Sequence, residues 1–408
     1  MKTTVFCVTL ISLLFLSLTN LIFIFDFSEP IFIRVYGDDE GEDGGHQGED
    51  GDHQGEDGDH KGDHKGKDGG HNDHFRKFFN FRFFDRHNND DNHKPDKKGD
   101  DNKVKVKEQD QAKIYKGYGI DPANGEGNNK KSFNFAAVGD FGCSKNAKKT
   151  VDNIKNSKPE LVLPLGDLSY QKNANCWFDI MSPLKDKLMV TLGFHDVNDG
   201  QEKMDQYFKS FDLNKPYYSF DYRKVHFIVM ASESNFVQGS EQYEFVKQDL
   251  EQTSKNKDVD WIIITSYGPF YTSPTTHKSE KSLRDVYHPL FDKYGVDLVL
   301  QAHNHNYQRT YPITYNPNDS SEPTIKNQTT GEYNDPTDRT IFAIIGTGDE
   351  SFYALDGQAP YVATQFNKFG FLNIELDNGN PHTTLTGTFF DNKGNEIRDH
   401  FTTTKEIK

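Results

Sequence analysis

The sequence predicts an α/β fold, with stacked sheets and helices outside, built from Ser132 to the C-terminus. Three features predict it. Strand-length apolar runs alternate with helix-length amphipathic stretches as far as residue 301, the tail is rich in strand-like runs, and the region before residue 132 lacks the apolar content for a core.

In chain order, Phe133 to Val138 is a strand-like run ending in Gly-Asp. Asn146 to Asn156 reads as a helix, and Leu161 to Leu165 as a buried strand ending in a second Gly-Asp. Helical texture returns from Cys176 to Lys187, followed by a strand from Leu188 to Leu192. Tyr217 to Tyr222 and Val225 to Met230 form a hairpin about Arg223-Lys224. A helix from Gln242 to Thr253, a strand from Trp261 to Thr265, a helix from Ser282 to Tyr294 and a strand from Asp297 to Gln301 complete the alternation. Strands Ile341 to Gly346, Gly370 to Leu376 and Thr383 to Asp391 make up the tail.

The chain has 408 residues, a formal net charge of −16 and 34% hydrophobic residues, with the polar excess ahead of residue 132. What remains is enough for one large domain. An acidic chain lacks the Lys/Arg excess that nucleic-acid phosphates require, which argues against such a partner. Residues 1–36 read as a signal peptide or an N-terminal membrane anchor: Lys2 precedes an apolar run from Val5 to Phe25, and Val35-Tyr36-Gly37 only loosely matches a cleavage site. Either reading places the rest outside the cytoplasm, secreted or anchored to the outer face of the membrane.

Residues 37–131 read as a disordered acidic tether. Gly37 to His74 has no apolar side chain, and His46, His53 and His60 recur at a spacing of seven. Such a stretch buries too little to offset the entropy of ordering. A solvated spacer is preferred to a metal-collecting tract. A Phe/Arg cluster at 75–86 could meet an anionic lipid surface or a partner, or pack back on the domain. Val104 to Tyr118 could form a short edge element.

The chemistry-bearing residues fall at strand ends. Asp140, Asp167, His195 with Asp196, and His303 with His305 each lie just past an apolar strand, where sites form in α/β sheets. One Gly-Asp would be ordinary turn chemistry; four strands delivering oxygen and nitrogen donors to one edge is a metal-site pattern. Cys143 and Cys176 each follow one of these motifs. They read as a disulfide between neighbouring loops, with two unpaired thiols as the alternative. His277 reads as a surface-loop residue, with a place near substrate or metal as the alternative. His226, His288 and His382 read as structural or exposed. Sequons at Asn318 and Asn327 are compatible with export.

Gly139-Asp140-Phe141-Gly142, Gly166-Asp167-Leu168-Ser169-Tyr170, Gly193-Phe194-His195-Asp196 and Ala302-His303-Asn304-His305 together resemble the metallophosphoesterase motif set, in the same order. Tyr170 narrows the resemblance to the purple acid phosphatase branch, as do the stretch from Tyr294 to Pro312, Ile344 to Gly348 and Leu385 to Asn392. It covers about residues 132 to 404.

The resemblance implies a four-layer sandwich of two mixed β-sheets flanked by helices. It also implies a dinuclear centre that hydrolyses phosphomonoesters with a metal-bound hydroxide. Fe(III) would be held by Asp140, Asp167, Tyr170 and His305. Asp167 would bridge to a second divalent ion (Fe, Zn or Mn) that also takes His303. Family members complete that second site with an Asn and a His, where this chain has Phe194 and Tyr267. His195 would be the general acid, with Asp196 able to orient its ring. Two metals clamp the attacking and leaving oxygens of an in-line displacement, so loss of second-site ligands weakens that clamp. Three functions compete on these grounds: a phosphomonoesterase, a pseudophosphatase scaffold binding metal, phosphate or protein, and a metal-buffering surface protein. The retained ligands favour the enzyme.

Overall fold

The computed structural model describes residues 132–334, 339–379, 381–394 and 396–407. The leader, the tether, the Phe/Arg cluster and the edge element from Val104 to Tyr118 lie outside the described residues. The strands are β1 (Ser132–Val138), β2 (Leu161–Pro164), β3 (Tyr218–Tyr222), β4 (Val225–Val229), β5 (Trp261–Thr265), β6 (Leu298–Gln301), β7 (Tyr307–Thr310), the short pair β8 (Ile313–Thr314) and β9 (Thr324–Ile325), β10 (Glu332–Asn334), β11 (Ile341–Ile345), β12 (Val362–Phe366), β13 (Gly370–Asp377), β14 (His382–Asp391) and β15 (Ile397–Glu406). The helices are α1 (Lys145–Ser157), α2 (Asn175–Met181), α3 (Phe194–Asn198), α4 (Gln201–Ser210), α5 (Glu241–Thr253) and α6 (Lys281–Tyr294).

Two mixed sheets face each other. One runs β10-β15-β14-β13-β1-β2, the other β12-β7-β11-β6-β5-β4-β3. Burial follows strand direction. β5 lies parallel between β4 and β6 and is buried at every position, while the antiparallel β14 alternates between buried and partly exposed residues. Between the sheets, the Phe135 and Phe227 rings meet edge-on at 5.4 Å, and Trp261 Nε1 donates to Thr383 Oγ1 at 3.0 Å. α5 and α6 cover the outer face of the second sheet through Val246, Leu250, Leu283 and Tyr287 against Ile228, Ile262 and Ile264. α1 packs on the first sheet. Among the described residues no helix is long and apolar enough to cross a membrane.

The expected strand from Leu188 to Leu192 does not form a ladder. It makes isolated bridges, Val162 with Leu188 and Leu165 with Thr191. Met189 N–H donates to Val162 O and Thr191 N–H to Pro164 O, but Pro164 has no N–H to return. The helix expected from Cys176 to Lys187 tightens at Pro183 into a 3₁₀ turn, Ser182–Lys187. β15 escaped sequence reading because two of its inward residues, Asp399 and Lys405, are charged. Both are met by buried partners, Arg309 and Asp297.

Candidate metal centre

Backbone geometry brings the donors together. Asp140 follows β1, Asp167 follows β2, Tyr267 follows β5, and His303 and His305 follow β6. The carboxyl ends of the two sheets are stitched by Gly139 N–H to Ile345 O at 2.9 Å and Gly348 N–H to Gly139 O at 3.0 Å. Asp140, Asp167 and His303 have φ of 57°, 47° and 72°. They are three of the six described non-glycine residues in the left-handed region. Strain of this kind gathers where a fold must aim side chains.

The first half of the centre joins Asp140, Tyr170 and His305. Tyr170 Oη donates to Asp140 Oδ1 at 3.0 Å and lies 3.0 Å from His305 Nε2, which is 3.7 Å from Asp140 Oδ1. His305 Nδ1 donates to Ser351 O at 2.9 Å, so its lone pair is on Nε2, facing the centre. One phenol proton therefore serves two acceptors. Asp140 Oδ2 is buried with no hydrogen-bond partner. It faces the space left by Gly346, where a Cβ would lie 2.5 Å from that oxygen and 2.1 Å from Asn304 O. Burial, and then Asp167, push the Asp140 carboxyl well above the carboxylate range, while burial pulls His305 down to about 4. An excess of acceptors around an orphaned carboxylate oxygen suits a bound cation. Among the described residues no three His, Cys, Asp or Glu side chains cluster as an ion site; here the third donor beside Asp140 and His305 is the Tyr170 phenol.

The second half differs. Tyr267 Oη donates to Asp167 Oδ2 at 2.5 Å and lies 2.7 Å from His303 Nδ1. Burial and the neighbouring Asp167 carboxylate push the Tyr267 phenol well above its ordinary value. Burial, then the imidazoles of His277, His305 and His195, bring His303 down to about 3. Phe194 opens α3 and packs partly buried against the core. His277 is not a detached surface residue: its ring stacks on His303 at 4.1 Å and its Nε2 lies 3.3 Å from Tyr353 Oη. Tyr353, which sequence reading missed, stacks on His305 at 4.1 Å.

His195 stands over the first half, its ring 4.6 Å from that of Tyr170, and its backbone N–H donates to Asp167 Oδ1 at 2.7 Å. The carboxylate that meets its ring is Asp199, 3.1 and 3.2 Å from Nδ1, and not Asp196. Asp196 turns inward and accepts from Gly193 N–H at 2.8 Å and Leu168 N–H at 3.0 Å, fixing the Asp167 loop. Burial and Asp167 push it up to about 8. The buried Lys203 ammonium holds Asp199 at 3.2 Å. His195 and Asp199 stand four apart, a helical spacing readable in the sequence, and Lys203 reaches Asp199 from α4, beyond the break at Gly200.

Cys143 and Cys176 form a disulfide with Cα atoms 6.0 Å apart, tying the loop after Asp140 to the start of α2 just beyond Tyr170. Asp349 accepts from Ser144 N–H at 2.9 Å and from its hydroxyl. Ser144 in turn caps α1.

Residues 133–307 match the calcineurin-like phosphoesterase family. That stretch is what the chain shares with the calcineurin-like phosphoesterases. Among similar proteins, phosphoenolpyruvate phosphatase of Allium cepa is 26% identical over 60% of the chain and 56% of the relative. Purple acid phosphatase 18 of Arabidopsis thaliana is 30% identical over 46% of the chain and 47% of the relative. The chain spans about half the length of the curated relatives it matches. Among solved structures, purple acid phosphatase PPD1 from yellow lupin superposes with a TM-score of 0.59 at 19% identity, over 68% of this chain and 55% of that one. GAP50, described as the anchor in the inner membrane complex of Plasmodium, gives 0.51 at 19% identity over 68% and 90%. Both share the fold.

Proposed function

We propose that this chain is an extracytoplasmic, metal-dependent phosphomonoesterase of the purple acid phosphatase type. The observation that carries the reading is the convergence of Asp140, Tyr170 and His305 around a carboxylate oxygen with no partner. With Asp167 they would hold Fe(III), which when bound supplies a Lewis-acid charge that polarises phosphate and acidifies water. The protein's own part is proton handling and position. Asp199 engages His195 Nδ1, which leaves Nε2 as the nitrogen able to give a proton to the departing alkoxide as the P–O bond breaks. The buried ammonium of Lys203 steadies Asp199, and Asp196 keeps the loop bearing Asp167 in place. The Cys143–Cys176 disulfide and the apolar run from Val5 to Phe25 support work outside the cytoplasm.

One observation favours a second reading, a surface-tethered pseudophosphatase that binds metal, phosphate or protein. The second-site residues are hydrogen-bonded to Tyr267 rather than open, and the anchor GAP50 shares the fold. The test is aryl phosphate hydrolysis by the full chain, supplied with iron plus zinc or manganese, from acidic to neutral pH. Turnover that falls by about 10²- to 10⁴-fold in His195→Ala is the expected result for the enzyme. Turnover indifferent to that substitution sinks the mechanism, and metal uptake without any turnover moves the assignment to the scaffold.

A further inference from the structure

We infer that the second metal position of this centre is closed by the Tyr267 hydroxyl, so that the chain holds one ion where the purple acid phosphatases it resembles hold two. The inference rests on the phosphoesterase reading and says which half of that centre operates.

An ion shared by a carboxylate oxygen and an imidazole nitrogen lies about 2.0–2.2 Å from each. Asp167 Oδ2 and His303 Nδ1 do converge on one point, but an oxygen fills it, 2.5 Å from the first and 2.7 Å from the second. A phenol has one proton, and here it goes to Asp167. The bond to His303 therefore runs the other way, with Nδ1–H donating into the phenol oxygen. Nδ1 thus carries a proton where a ligand needs a lone pair, and the lone pair that Oδ2 aims at this point is engaged by the phenol's hydrogen bond. The other Asp167 oxygen accepts the His195 backbone N–H at 2.7 Å and keeps a lone pair for the first half of the centre.

The phenol is held in place. Tyr267 is 2% exposed, and its carbonyl accepts Ala302 N–H at 3.2 Å. Gly166 and Gly193 flank its ring so closely that a Cβ on either would lie 2.6 or 2.8 Å from Cδ2. A ring wedged between two backbones cannot swing aside for an ion. Neither Phe194 nor His277 supplies a substitute donor. Phe194 has none, and His277 stacks on His303 with 21° between the planes, so the in-plane lone pairs of the two rings run side by side rather than converging.

Equilibrium dialysis of the full chain against zinc, read by elemental analysis, tests this without reference to turnover. The expected result is one zinc per chain in the wild type and two in the Phe194→Asn/Tyr267→His double variant, with circular dichroism checking that the variant folds. Two zinc ions in the wild type overturn the inference and leave the phosphoesterase reading standing. No zinc at all removes the reading beneath it and the inference together. A folded double variant that still takes one shows that Tyr267 is not what closes the position. Should the double variant not fold, the wild type decides by proton NMR. A downfield hydroxyl proton absent from Tyr267→Phe should survive addition of one equivalent of zinc, and its loss on loading would mean that metal displaces it.

Discussion

Arg309, between the two sheets, and Asp140, at the strand ends, are both fully buried, yet their surroundings treat them oppositely. Around Arg309 every donor is met. Nε and Nη2 grip the two Asp399 oxygens at 2.6 and 2.9 Å, Nη2 also reaches Thr330 O at 2.8 Å, and Nη1 reaches Tyr333 Oη at 2.8 Å and Thr310 O at 3.5 Å. Tyr307 Oη completes Asp399 at 2.7 Å. Around Asp140 one oxygen has no partner, a second carboxylate stands close, and the backbone bends through left-handed turns. A buried charge kept for architecture closes its own hydrogen bonds, whereas one kept for a ligand leaves a valence open.

The sharpest way to break this contrast is Arg309→Met, which strands Asp399 in the core. A loss of about 3–5 kcal/mol in chemical denaturation is expected, with a large part regained in Arg309→Met/Asp399→Leu. A change under about 1 kcal/mol would mean the network is not closed. Next is the disulfide, which cross-links the open cluster's loops. Replacing Cys143 and Cys176 by serine should cost about 2–4 kcal/mol and lower zinc affinity, measured by melting with and without the ion; unchanged affinity would separate the loops from the centre.

A third test uses pH at the opposite end of β4 from the site. Burial lowers the His226 pKa, but hydrogen bonds with Asp221 and Asp249 outweigh it and raise it to about 9. The folded value lies above the unfolded one, so the contribution is complete below about pH 6.5 and lost as pH rises through about 9. It is worth at most about 3 kcal/mol. Denaturation midpoints of His226→Gln should lack that decline; an identical decline would place its origin elsewhere. The smallest effect belongs to the open cluster itself. Asp140→Asn removes one of two neighbouring buried carboxylates, so the metal-free chain should gain about 1 kcal/mol. It should also lose the rise in melting temperature expected of the wild type on adding zinc. A variant still stabilised by zinc would show that Asp140 is not a ligand.

Most of the framework was legible from residues 133 to 301 because parallel strands buried on both faces read as continuous apolar runs, as in Trp261 to Thr265. The tail was read less completely. In β15 the inward positions include Asp399 and Lys405, whose partners are about ninety residues or more away in the chain, so polarity masked burial. Asp199 was missed for a different reason: Asp196 is the nearer acid in sequence, but Asp199 is one helical turn on from His195.

By itself the sequence determined which donors stand at which strand ends, and that Phe194 and Tyr267 depart from the pattern. These follow from period, composition and order, which are local. Only the tertiary structure decided that Asp199 rather than Asp196 meets His195, that Asp140 keeps an unmatched oxygen, and that the Tyr267 hydroxyl lies between Asp167 and His303. Those outcomes depend on backbone turns and on the register of two sheets whose facing residues are far apart in the chain. At that distance, individual oxygens and nitrogens are matched by packing, not by spacing.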